Sequence, residues 1–145
     1  MFFQEDKQQL KKFQKINNLK FLNNKKILIT GCNGFIGSSL IRILFDLTNN
    51  SKHKINLYGI VKKKSKITNL ILKKLIKLNK IKIFKIDVHE KIKLNFSPDI
   101  IIHCASVTAP HMYTKEPVET ILTNSLGTIN LLNFQSLKNC GLSKQ

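Results

Sequence analysis

The sequence predicts an α/β fold, a doubly wound parallel sheet with helices on both faces, and three observations predict it. Short, nearly uninterrupted apolar runs alternate with longer stretches of helical periodicity. The apolar runs lack the in-out polarity of a one-sided sheet, as expected when both faces of a parallel sheet are covered. A three-glycine turn joins the first apolar run to the first periodic stretch. Strands and helices in strict alternation build a doubly wound sheet. Right-handed crossovers then give strand order 3-2-1-4 for the part present.

Residues 5–22 carry Leu10, Phe13 and Leu19 near helical spacing among Lys and Gln, which predicts an amphipathic helix laid against the domain. Asn23 and Asn24 form a turn, so residues 1–24 read as an N-terminal helical extension and 25–145 as a partial nucleotide-binding domain. Lys26–Thr30 is a buried strand. Phe35–Leu47 repeats Ile36, Leu40, Ile43, Leu44 and Leu47 with the period of a helix. Ile55–Val61 and Ile81–Ile86 are strands on either side of a helix over Lys66–Asn79. Lys91–Pro98 is irregular, and Asp99–Ala105 is the fourth strand. Pro117 suits the first turn of a long helix with its apolar side at Ile121, Leu122, Leu126, Ile129, Leu132 and Leu137, and Gly141 suits its end.

Composition bounds the function. The 145 residues are 42% hydrophobic, enough for one globular domain. No apolar run is long enough to span a bilayer, and the polar N-terminus lacks the apolar core of a secretory signal. The expectation is a cytoplasmic protein without membrane contact. Cys32, Cys104 and Cys140 are odd in number and widely spaced, which argues for reduced thiols over a disulfide framework or a zinc site. The net charge of +17 invites a nucleic-acid partner, but Arg42 is the only arginine, and base or bidentate phosphate recognition favours Arg. The lysine excess, with abundant Asn and Ile, reads as compositional drift, and nucleic-acid binding is not expected.

The glycine turn, TGCNGFIG over residues 30–37, carries the chemistry. Gly31 makes the tight turn out of the strand, Gly34 lets a pyrophosphate approach the backbone, and Gly37 lets the helix pack closely on the strand. The helix start presents unpaired N–H groups and the positive end of its dipole, with the backbone amides of Asn33, Phe35 and Ile36 nearby. The flanking strand and helix are the context that makes such a motif informative, and they define a Rossmann-type sheet.

The spacing G-x-x-G-x-x-G, preceded by Thr30, resembles that of extended short-chain dehydrogenases, in particular the NAD-dependent epimerase/dehydratase family. Three further segments share the resemblance. Asp87-Val88 follows the third strand, where the family contacts adenine; a turn-capping Asp is the plainer alternative. His103 to Ser106 (HCAS) resembles the family segment whose small residues, here Cys104, Ala105 and Ser106, line the cofactor's ribose and nicotinamide side. His103 itself reads as a packed core residue, because adjacent strand residues point to opposite faces and cannot form a His-Cys dyad. Pro117 to Leu132 resembles the family helix that carries Asn124 near the cofactor and Gly127 at a close packing point, with Asn130 as helix surface. The loop HCASVTAPHMYTKEP is most similar to that of UDP-glucuronate decarboxylases and sugar-nucleotide dehydratases.

The resemblance implies an NAD or NADP cofactor and, in an intact homologue, a nucleotide-sugar substrate. Two departures matter. The second strand ends in Lys62, Lys63 and Lys64, not in the carboxylate that grips a ribose diol; Lys62 is a candidate for a 2′-phosphate by charge, which leaves NAD and NADP both open. The family's catalytic Tyr-x-x-x-Lys and Ser/Thr follow a fifth strand, and neither Tyr58 nor Tyr113 lies there. No catalytic residue is therefore assigned. The chain is expected to be inactive alone, as a fragment, a degenerate gene or part of a split protein; the alternative readings are a non-catalytic NAD(P)-binding module and, less favoured, a basic nucleic-acid-binding protein. Its fourth strand is expected to be an open edge that invites self-association.

Overall fold

The computed structural model describes residues 19–49, 54–107 and 114–139, together with Gln8. The expected helix over 5–22 falls mostly outside them; its last residues, Leu19–Leu22, form a 3-10 turn. Five segments of the core were expected and are present: strands β1 (Lys26–Thr30), β2 (Asn56–Val61) and β3 (Ile81–Lys85), and helices α1 (Phe35–Asn49) and α2 (Leu70–Lys77). Strand β4 (Ile100–His103) follows, then α3 (Pro117–Ile121), a π-helical turn (Leu122–Leu126) and α4 (Gly127–Asn139). The four strands are parallel in the order β3-β2-β1-β4, as predicted.

Strand β1 is central and its Ile27, Leu28, Ile29 and Thr30 are fully buried. Alternate residues serve opposite faces. Ile27 and Ile29 join Ile41, Leu72 and Leu75 on the face covered by α1 and α2. Leu28 joins Ile60, Val88, Ile92, Leu131 and Phe134 on the face covered by α4 and the 86–98 segment. On that second face Tyr58 stacks on Phe96, with ring centroids 4.0 Å apart.

Strand β4 is shorter than the apolar run. At its start Asp99 turns its carboxylate back, so that the Lys26 amide donates to Asp99 Oδ2 at 2.7 Å. At its end the Ala105 amide donates to Thr30 Oγ1 at 3.1 Å, a side chain instead of a ladder carbonyl. Helix α2 is also shorter than its periodicity suggested. Asn69 caps it by accepting from the amides of Ile71 and Leu72 at 3.0 and 3.1 Å. Asn79, at φ 52°, ends it in the left-handed region while the Lys80 amide reaches back to the Leu75 carbonyl.

The last helix differs most from expectation. One continuous helix was expected, but a π turn interrupts it, and a π turn carries one extra residue that rotates everything beyond it. The expected apolar side faces outward on both sides of the turn: Ile121 before it, Leu126 at its end, and Ile129 and Leu132 after it are exposed. The buried side is Gly127, Leu131 and Phe134. A Cβ on Gly127 would come within 2.8 Å of Val88 Cγ2, so the absent side chain sets how closely α4 approaches the 86–98 segment. Leu137 and Gly141 lie outside the residues whose side chains or placement are described.

Candidate cofactor site

A cavity of about 470 Å³ opens at the carboxyl ends of β1, β2 and β4, bounded by the glycine turn on one side and by the start of the last helix on the other. This is the crevice in which open α/β sheets bind ligands.

The glycines divide the work. Gly31 sits at φ 62°, and a Cβ there would lie 2.6 Å from the Cys104 carbonyl oxygen. Only glycine serves both the turn and the approach of the β4 exit. At Gly37 a Cβ would lie 2.5 Å from the Gly31 carbonyl oxygen and 2.8 Å from Cys32 Cα, so this glycine seats α1 against the turn. Gly34 is different: a Cβ there would meet only the Gly31 oxygen, at 3.2 Å, and otherwise open space. The Gly34 and Ser38 amides are spent on the carbonyls of Gly31 and Gly34. Those of Phe35 and Ile36, in the first turn of α1, have no backbone acceptor among the described residues, as helix geometry requires. A bare backbone cradle with free donors at a helix start fits a diphosphate.

Asn33, Phe35 and Ile36 line the cavity with the three glycines. The Asn33 side chain does a job the sequence did not announce. Its Nδ2 donates to the Lys66 carbonyl at 3.0 Å, and its Oδ1 accepts from the Thr68 and Asn69 amides. Residues 66–69 are thereby pinned in an extended strap across the glycine turn, which is why α2 starts late.

Asp87 and Val88 also line the cavity. The Lys63 amide donates to Asp87 Oδ1 at 3.2 Å, and the Asp87 carbonyl accepts from the Glu90 amide, so the turn-capping role is present. It occupies one carboxylate oxygen and is compatible with a ligand at the other. Asn130, expected to be plain helix surface, instead holds this turn: its Nδ2 donates to the carbonyls of Val88 and Glu90 at 3.1 and 3.2 Å.

Cys104, Ala105 and Ser106 form the wall beyond β4. Beneath them His103 Nδ1 lies 2.6 Å from Thr30 Oγ1, and its ring approaches Gly127. Partial burial holds its pKa below the usual histidine value, so the half-buried ring is neutral and hydrogen-bonded. Cys32 is fully buried and its thiol is pushed up to about 12 by that burial, with a small opposing effect of a backbone hydrogen bond. It is an inert packing residue.

Asn124 was expected near the cofactor. It is exposed and absent from the cavity wall, and its neighbour Thr123 lines the cavity instead. Both residues lie in the π turn. The cavity also recruits Ser65, His89, Val107 and Glu119, which sequence reasoning missed. Lys62 also lines the cavity, and its Nζ is engaged by Glu119 Oε1 at 2.9 Å. No local pattern pairs residues 62 and 119; only the closure of the fold does.

Tyr58 and Lys62 have the literal spacing of Tyr-x-x-x-Lys, but they run along β2 and its exit. Four residues of strand separate their backbones by about 13 Å, against about 6 Å for one helical turn. Tyr58 is stacked in the aromatic cluster and is not part of the cavity wall. Tyr113 lies outside the described residues. Among the described residues there is no cluster of three metal-ligating side chains and no helix long and apolar enough to cross a membrane.

The chain is similar to known proteins in sequence and in fold. The profile of the NAD dependent epimerase/dehydratase family matches residues 27–143. UDP-glucuronic acid decarboxylase 3 of Arabidopsis thaliana is 35% identical over 120 residues, covering 82% of this chain and 33% of that protein. UDP-glucuronic acid decarboxylase 1 of Danio rerio is 30% identical over 128 residues, covering 83% and 28%. The chain thus spans about a third of the length of the curated relatives it matches. Among solved structures, epimerase Mth375 of Methanothermobacter thermautotrophicus superposes with a TM-score of 0.62 at 21% identity, covering 88% of this chain and 34% of that one. UDP-glucose 4-epimerase of Thermus thermophilus, solved with NAD, gives 0.60 at 21% identity, with coverage of 80% and 34%. The match over nearly all of the sheet, the glycine turn and the last helix places this chain in the NAD dependent epimerase/dehydratase family.

Proposed function

We propose that this chain binds NAD or NADP in the cavity at the carboxyl ends of its strands and forms the cofactor-holding part of an enzyme acting on nucleotide sugars. The observation that carries the reading is the glycine turn. Two of its glycines are required by the fold, and the third leaves bare backbone beside free helix-start amides. The similarity to UDP-glucuronic acid decarboxylases supports an epimerase, dehydratase or decarboxylase type of reaction.

In this reading residues 25–145 are the nucleotide-binding unit and 1–24 an extension to it. The first-turn amides of α1 hold the diphosphate. Asp87 and the Val88 backbone meet the adenine, at a turn that Asn130 keeps in place. Cys104, Ala105 and Ser106 leave room beside β4 for the nicotinamide half. When bound, the cofactor supplies reversible hydride acceptance from a sugar carbon. The chain's own contribution is binding and orientation; the proton-moving Tyr and Lys implied by the family follow a fifth strand, and neither role is assigned to a residue here. Self-association, in the same reading, uses the outer edge of β4, the last strand of the sheet.

Titration of the folded chain with NAD and NADP tests this, followed by calorimetry. Saturable binding at one site per chain is expected, and Gly34→Ala weakens it. Absence of association with either dinucleotide in folded protein refutes the proposal.

A further inference from the structure

The ribose end of the cavity lacks the expected carboxylate. Strand β2 ends at Val61 and is followed by Lys62, Lys63 and Lys64, where dinucleotide sites that prefer a free ribose diol place Asp or Glu. The structure supplies a carboxylate from elsewhere. Glu119, in the first turn of α3, reaches the cavity wall beside Lys62 and accepts from its Nζ at 2.9 Å. His89 Nδ1 lies 4.0 Å from the same oxygen. Glu119 Oε2 has no hydrogen-bond partner among the described residues. Lys63, the next cation, is held by Glu90.

This arrangement inverts the simple reading of the lysine run. Lys62 is already neutralised by Glu119, and a 2′-phosphate would bring further negative charge against that carboxylate. A ribose 2′-hydroxyl would instead offer a donor to a carboxylate already in place. The mutual hydrogen bond raises the Lys62 pKa and lowers that of Glu119, so both stay charged at neutral pH.

We propose that Glu119, delivered from the start of α3 instead of from the end of β2, selects a ribose 2′-hydroxyl over a 2′-phosphate, and that its ion pair with Lys62 sets a preference for NAD over NADP. This rests on the cavity being the dinucleotide site.

Calorimetric titration of the wild-type chain, Glu119→Gln and the double variant Glu119→Gln/Lys62→Gln with NAD and with NADP tests it, with thermal melting to confirm folding. Wild type is expected to bind NAD at least about tenfold more tightly than NADP. Glu119→Gln keeps the side chain's length, removes the charge that neutralises Lys62, and is expected to shrink that ratio by about tenfold, chiefly through tighter NADP binding. The double variant loses the gained NADP affinity. A wild-type preference for NADP, or a ratio that Glu119→Gln leaves unchanged while both nucleotides bind, overturns the inference and leaves the site assignment standing. Loss of binding of both nucleotides in the wild type itself overturns the site assignment and this inference with it. Should Glu119→Gln fail to fold, Glu119→Asp, which shortens the reach to Lys62, must still lower the ratio.

Discussion

Substituting Gly37 and Gly34 separately should divide the glycine turn into a part the fold needs and a part the ligand needs. An alanine methyl at Gly37 would sit 2.5 Å from the Gly31 oxygen, 2.8 Å from Cys32 Cα and 2.9 Å from the Gly31 carbonyl carbon. All three are backbone atoms, so no rotamer change relieves the overlap and α1 must move off the turn. Overpacking of this kind costs about 1–3 kcal/mol, and alanine returns up to about 1 kcal/mol through its helix propensity. The net is a loss of roughly 1–2 kcal/mol, which in a chain of this size lowers the melting temperature by roughly 3–10 °C. At Gly34 the single contact of 3.2 Å is eased by a few tenths of an ångström, and the backbone is not left-handed. Gly34→Ala should therefore melt within about 0.5 kcal/mol of the parent, as surface substitutions do. Its methyl nevertheless occupies the approach to the cavity, so dinucleotide affinity should fall at least tenfold, about 1.4 kcal/mol. Thermal melts and nucleotide titrations on both variants read the two effects independently. Equal stability losses at the two positions, or an unchanged melt for Gly37→Ala, would refute the division.

Three further outcomes are expected. Asn130→Ala removes two hydrogen bonds to the 88–90 turn and should cost about 1–2 kcal/mol in urea unfolding, with weaker nucleotide binding although Asn130 is not on the cavity wall. Cys32, with its thiol at about 12 against an ordinary 9.0, should carry about a thousandfold less thiolate than a free cysteine; rapid alkylation of Cys32 by iodoacetamide in the folded chain at pH 8, mapped by mass spectrometry, would contradict that. Acidification should destabilise the fold through His103. Its folded pKa lies below the ordinary 6.5, so the unfolded chain binds more protons and stability falls as pH drops from about 6.5 towards the folded value. Melts between pH 7.5 and pH 5 should show this slope, and His103→Gln should reduce it.

Much of the fold was legible because its causes are local. Apolar runs with no polar alternation, a Gly-rich turn, and Asn or Pro at element boundaries act within a few residues of where they stand. They were sufficient for four strands, their order, and the helices α1 and α2. The cavity was legible to the same extent: Gly31, Gly34, Gly37, Asp87, Val88 and the segment 104–106 belong to strand ends, and the topology of a parallel sheet brings strand ends together.

The chain by itself also determined that Gly37 and Gly31 must be glycines and that the β2 exit is basic. What only the tertiary structure decided concerns partners far apart in sequence. The last helix buries Gly127, Leu131 and Phe134 against the second sheet face and leaves the more numerous apolar residues opposite exposed, a choice made by contacts with Val88 and its neighbours. Asn33 holds the 66–69 strap and Glu119 holds Lys62, each across a gap in sequence that no periodicity spans. Short-range backbone preferences are written residue by residue, whereas hydrogen bonds and ion pairs between distant side chains exist only once the sheet has closed and set their distance.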